Sequence, residues 1–266
     1  MSILYQHIEN DLRGYHGISL ENHVFITHLQ TSVRNNLLDK EVQNLILNDL
    51  TGLLGTGFSS ESILADIQAL ENAEPDDLRE WRIGEAMAEV ILEENFQCRF
   101  HWNELRDSRN PKGNKTGADL VGFVECENSV LFLFGEVKTS SETASRPPQV
   151  MTKADGIENQ LKDLYSNRKK RQVLITYLKS KTMTLAADNS FKKDFDLALR
   201  TYYVSEHYQL IGVLVRDIIS DEMDVSVSYN RIKSTILNPV GLKLVALYTS
   251  IPSSKWHRII KGAIEE

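Results

Sequence analysis

Leu131-Phe132-Leu133-Phe134-Gly135-Glu136-Val137-Lys138 is the stretch that decides how this chain is read. Apolar residues and one glycine run unbroken into Glu136, which marks a strand covered on both faces and therefore central in its sheet. Side chains alternate along a strand, so Phe132, Phe134, Glu136 and Lys138 share a face. Two charges then project side by side from the end of a buried strand. Charges held there are costly unless they are paired or bind a metal.

The preceding run, Ala118 to Val124, reads as a second strand. A turn centred on Glu127-Asn128 sets Phe123 across from Phe132, Val121 across from Phe134, and Asp119 across from Glu136. Directly opposed residues share a face with Cβ atoms about 5 Å apart. Two carboxylates at that spacing repel, and a divalent cation relieves the repulsion. Mg²⁺ suits the set, with Mn²⁺ as an alternative, because it keeps several waters and takes one or two carboxylates. Lys138 is placed to orient or deprotonate a metal-bound water, or to stabilise charge on a phosphate. Asp, Glu and Lys also form structural ion pairs in sheets. The registered Asp119, the apolar lead-in and an acid-bearing helix upstream favour the metal reading.

That upstream helix is expected from Asp76 to about Phe96, started by Pro75 and the acids after it. Ile83, Met87, Val90 and Ile91 form one stripe, and Glu85, Ala88, Leu92 and Phe96 run along the opposite side, so the helix lies between layers. Gly84 inside it costs about 1 kcal/mol relative to Ala, tolerable where another element comes close. Further helices are expected from Gly156 to about Lys170, over Phe191 to Tyr203, and from Ser253 or Ser254. Strand-like runs are His23 to Leu29, Tyr208 to Val215, Val225 to Tyr229 and Leu242 to Thr249. This order gives an α/β fold with a mixed sheet.

The order helix with Glu, Asp-bearing strand, turn, apolar strand with Glu-x-Lys, then helix resembles the PD-(D/E)xK nuclease superfamily. The matching residues are Asp119 in Gly-Ala-Asp, and Glu136 and Lys138 in Gly-Glu-Val-Lys; Ala118 stands where Pro is usual. The resemblance implies a restriction-endonuclease-like core, a mixed central sheet flanked by helices, over 74–266, with an amino-terminal α/β extension over 1–73 for partner docking or sheet extension. It implies that Asp119, Glu136 and the Val137 carbonyl bind Mg²⁺, that Lys138 assists the attacking water, and that an acid on the first core helix completes the site. Glu85 matches that position best, with Glu89 one turn on left open. Gln160 and Tyr165 sit where some members carry Gln and Tyr, spaced one residue wider; Tyr165 reads as core. More narrowly, the length, the Gly-Glu-Val-Lys-Thr-Ser element and the extension resemble the HamA-type nuclease subunits of the Hachiman anti-phage defence system. That implies a superfamily-two helicase partner of the HamB type and DNA as substrate.

Composition bounds these readings. The 266 residues carry 30 Lys and Arg against 37 Asp and Glu, a net charge of −7, and are 41% hydrophobic, an ordinary globular balance. An acidic chain does not hold nucleic acid by bulk positive charge, though a motor can feed it. Two cysteines exclude a disulfide framework, and the histidines show no zinc spacing. Thr51-Gly-Leu-Leu-Gly-Thr-Gly57 lacks the lysine of a nucleotide-phosphate loop. With no leader-like start and no apolar run of membrane length, a cytoplasmic setting without membrane contact is expected. Candidate phosphate contacts are Lys112 and Lys115 in the Arg106–Gly117 loop, Lys169 and Lys170 in the Arg168–Arg171 run, and Gln160 at the site edge. A solvated helix face is the plainer account of the Arg168–Arg171 run. Against the nuclease stands a second reading, a non-catalytic interaction subunit of a nucleic-acid-processing complex.

Overall fold

The computed structural model describes residues 1–54, 56, 60–107, 117–126 and 129–263. In chain order the elements are β1 (Ser2–Asn10), β2 (Arg13–Ser19), α1 (Asn22–His28), a π-helical turn (Leu29–Val33) and α2 (Arg34–Leu38). Next come α3 (Lys40–Leu53), α4 (Ser60–Glu71), α5 (Glu80–Asn95) and β3 (Cys98–Arg99), then a 3₁₀ turn (Glu104–Asp107), β4 (Leu120–Cys126) and β5 (Ser129–Thr139). After them lie α6 (Gln149–Thr152), α7 (Ile157–Ser166), α8 (Arg168–Thr182), α9 (Ser190–Ser205), β6 (Gln209–Arg216), α10 (Ser226–Ile232), β7 (Gly241–Tyr248) and α11 (Ser253–Ile260).

The strands form one mixed seven-stranded sheet in the order β1-β2-β7-β6-β5-β4-β3. β2, β7, β6 and β5 run parallel, and the flanking strands are antiparallel to their neighbours. Period two divides β5 between two cores. Phe132 and Phe134 face α7–α10, with Leu161, Phe195 and Tyr229. Leu131, Leu133 and Val137 face α1, α5 and α11, with Phe25, Ile91 and Trp256. β5 is therefore covered on both faces. The Phe123–Phe132 and Val121–Phe134 pairs stand in the register expected from the turn.

Residues 1–73 divide in three. The β1–β2 hairpin enters the sheet, with β2 paired to β7 from Arg13–Leu242 to Ser19–Tyr248. Phe25, Leu29, Val33 and Leu37 bury one stripe of α1–α2 against the second core. The pair α3 and α4 stands beside this body, and no side chain of α3 is buried.

Four local expectations change. His23 to Leu29 is helical: its strand-like content is outweighed by Phe25, Leu29, Val33 and Leu37 at spacings of four. Ser226 to Tyr229 opens α10, and Val225, Tyr229, Ile232 and Ile236, in and flanking it, make a buried stripe at helical spacing. α5 starts at Glu80 because Asp77 accepts from the Arg79 amide at 3.1 Å, holding a turn where the first helical turn was expected. The helix expected over Gly156–Lys170 breaks at Asn167, whose side chain caps α8 through the Lys170 amide at 3.1 Å. Neither cysteine is in a disulfide. Among the described residues, no helix is long and apolar enough to cross a membrane.

Candidate active site

The site forms where the β4–β5 ladder ends. The last ladder pair is Leu120–Gly135. Just beyond it the Asp119 amide donates to the Gly135 carbonyl at 3.0 Å, and Asp119 Oδ2 accepts from the Val137 amide at 3.0 Å. Backbone N–H and C=O of one strand residue point to the same side, so the Val137 carbonyl also faces Asp119. Lys138 Nζ lies 3.4 Å from Glu136 Oε2 and 3.8 Å from Asp119 Oδ2. The three charges expected to share a face converge on one end of β5.

Glu136 is only 5% exposed. Burial pushes its carboxyl up to about 8, the Asp119 carboxylate adds to the rise, and Lys138 opposes it. The cost of this carboxylate pair, seen from sequence as repulsion, appears here as proton affinity.

Two packing features carry the rest of the wall. A Cβ on Gly84 would lie 2.2 Å from Thr139 Oγ1, so glycine lets α5 pass directly over the end of β5. Glu85 follows and enters the cleft. Burial raises it to about 7, opposed by the hydrogen bond from Arg82 at 2.9 Å and reinforced by Asp119. Glu89 accepts instead from Asn36 Nδ2 at 2.5 Å and does not line the cleft. On the other face, Gly212 pairs with Glu136, and a Cβ there would lie 2.4 Å from Ile157 Cγ2. The missing side chain lets α7 settle beside Glu136 and brings Gln160 to the cleft edge.

The cleft holds about 1290 Å³, and the acids lining it that the sequence reading passed over include Glu104 in the 3₁₀ turn. Burial lifts Glu104 to about 8, helped by the charges of Glu89, Glu85 and Asp119. No spacing rule points to it. Its turn is held by Trp102, whose ring carries both Arg106 at 4.8 Å and Lys181 at 4.5 Å.

The basic candidates disperse. Lys112 and Lys115 lie outside the described residues, as does Arg109. Arg106 turns to Asp39 at 2.7 Å and Glu41 at 2.6 Å. Lys170 lines the cleft, with Nζ 3.3 Å from Gln160 Oε1 and 3.1 Å from Asp163 Oδ2. Lys169 is exposed away from it, and Arg171 is buried against Tyr202 and the Leu164 carbonyl. Tyr165 packs against the first core.

Among the described residues, no three His, Cys, Asp or Glu side chains close around one point as a metal cage. The donors at the strand end are hard oxygens: two carboxylates and a backbone carbonyl, with room for water. This sparse set fits Mg²⁺, which keeps much of its own hydration. Compared with family models, curated proteins and solved structures, the chain matches none of them.

Proposed function

We propose that this protein is a Mg²⁺-dependent nuclease that hydrolyses phosphodiester bonds in DNA. The observation that carries the reading is the convergence of Asp119, Glu136 and Lys138 on one strand end, where Asp119 and Glu136 line a cleft that also holds Glu85 and Glu104. Asp119, Glu136 and the Val137 carbonyl would hold the cation, which when bound supplies charge neutralisation at the phosphate and an acidified water. Lys138 Nζ donates to the oxygen that attacks, or to a non-bridging phosphate oxygen, from a position fixed by two carboxylates. Arg82 holds Glu85 at the opposite wall, and Lys170 at the rim contacts the phosphate backbone.

The cations lining the cleft are all paired: Arg79 with Asp77, Arg82 with Glu85, Arg106 with Asp39 and Glu41, and Lys170 with Asp163. With a net charge of −7 the chain has little to draw DNA in by itself. The reading is therefore completed by a superfamily-two helicase partner that delivers DNA within an anti-phage defence complex. The test is DNA degradation by the purified protein, alone and with such a partner, in Mg²⁺, Mn²⁺ and EDTA. Degradation should need the cation and vanish in Glu136→Gln and Lys138→Ala. A cut rate unchanged in both variants removes these residues from the reaction. Intact biological protection by both variants would support the interaction-subunit alternative.

A further inference from the structure

α3 and α4 pack on one another beside the cleft and present an apolar seam with no cover. Leu45 is 59% exposed, Leu53 41%, and Leu64 on α4 51%. The same two helices supply part of the cleft wall: Val42, Ile46 and Leu70 line the same cavity as Asp119 and Glu136, and Ile46 is 42% exposed. The base of the seam is fixed by the Arg106 contacts to Asp39 and Glu41. A two-helix unit with an open apolar face is marginal in water and points to a third element.

Charge narrows the occupant. From Lys40 to Glu71, Lys40 is the single cation, against Glu41, Asp49, Glu61, Asp66 and Glu71. A second copy would set acidic hairpin against acidic hairpin. An anionic lipid surface or a phosphate backbone would be repelled in the same way. A helix with an apolar face and basic flanks is complementary in both respects. The space also fits. A helix core about 10 Å wide, rising about 1.5 Å per residue, takes roughly 120 Å³ per residue. The 1290 Å³ cavity has the volume of about three such turns.

We propose that the α3–α4 seam and the adjoining cleft receive a basic amphipathic helix of a partner protein, which in docking covers the carboxylates. The inference stands independently of the nuclease reading, since it needs the acids and the seam but not the chemistry.

The test uses the full chain and a fluorescein-labelled amphipathic peptide of Leu and Lys, about 18 residues long, beside the same peptide with Glu in place of Lys. Anisotropy should show the basic peptide binding more than about tenfold tighter than the acidic one. Ile46→Ser/Leu53→Ser and Asp49→Lys/Asp66→Lys should each weaken it by about tenfold or more, while Val204→Ser, on an exposed position of α9, leaves it unchanged. Trp81 lines the cleft, so its emission should shift on binding, and the shift should be absent in Trp81→Phe. All four variants are first matched in melting temperature to the parent chain, and the charge variant serves if the seam variant unfolds. Equal binding of the two peptides, or binding indifferent to both hairpin variants, overturns the proposal. Concentration-dependent dimers abolished by Ile46→Ser/Leu53→Ser would also overturn it, giving the seam to a second copy.

Discussion

The Val137 amide donates to Asp119 Oδ2 at 3.0 Å, so a backbone group of β5 positions the carboxylate that precedes β4. Charge and hydrogen-bond acceptance at Asp119 are therefore separable. Asp119→Asn keeps an acceptor for the amide and should abolish DNA cleavage with little change in stability. Asp119→Ala strands the amide and should cost about 1–3 kcal/mol in urea unfolding as well as the activity. Equal stability of the two variants would show that the hydrogen bond does not matter to the fold.

Stability should fall as pH rises from about 5 to 8 in the absence of divalent cations. Glu136 and Glu104 are raised to about 8, and Glu85 to about 7. Between the ordinary glutamate range and those values the folded chain holds protons that the unfolded chain has released, so each unit of pH works against folding. The combined effect is on the order of a few kcal/mol. Mg²⁺ or Mn²⁺ binds the deprotonated carboxylates, so saturating cation should flatten the slope. Denaturant titrations at several pH values, with and without Mg²⁺, read both effects.

Glu104→Gln separates a working acid from a merely tolerated one. Removing a carboxylate whose charged form is disfavoured should raise the melting temperature at pH 8 by about 2–6 °C. If Glu104 serves the reaction, cleavage should fall by at least about tenfold in the same variant. Gained stability with unchanged cleavage would leave Glu104 outside the chemistry.

The crossing of α5 over β5 can be tested without touching a charge. Gly84→Ala drives a methyl group into Thr139 Oγ1 and should cost about 1–3 kcal/mol. Thr139 Oγ1 is buried without a hydrogen-bond partner, so Thr139→Ala alone should cost little, and the double variant should recover most of the loss. A double-mutant cycle on melting curves gives the coupling directly. Additive losses would mean that another contact sets the helix position.

The β4–β5 pairing was legible because its evidence is local: strict alternation, a turn between the strands, and a register set by that turn. The grouping of Asp119, Glu136 and Lys138 follows from the same arithmetic. Glu104 was not legible, since a single turn held by Trp102 carries no period. The alternating polar and apolar run Val225-Ser-Val-Ser-Tyr229 looks like a strand in a five-residue window, and its helical stripe appears only when Ile232 and Ile236 are included. The β1–β2 hairpin escaped for a different reason: β1 has no buried residue to leave a pattern, and β2 contains two glycines. Lys170 and Arg171 are neighbours in one basic run, yet one lines the cleft and the other is sealed in the core. Composition cannot make that distinction.

Arg13, at the start of β2, hydrogen-bonds the carbonyl of Val240, 227 residues further along the chain. β2 leaves the ribosome long before β7, and until β7 arrives its inner edge has no neighbour. Loop closure over such a distance makes completion of the sheet a late and slow event in folding. Through most of synthesis the growing chain carries an unpaired strand edge, the kind of surface that invites aggregation.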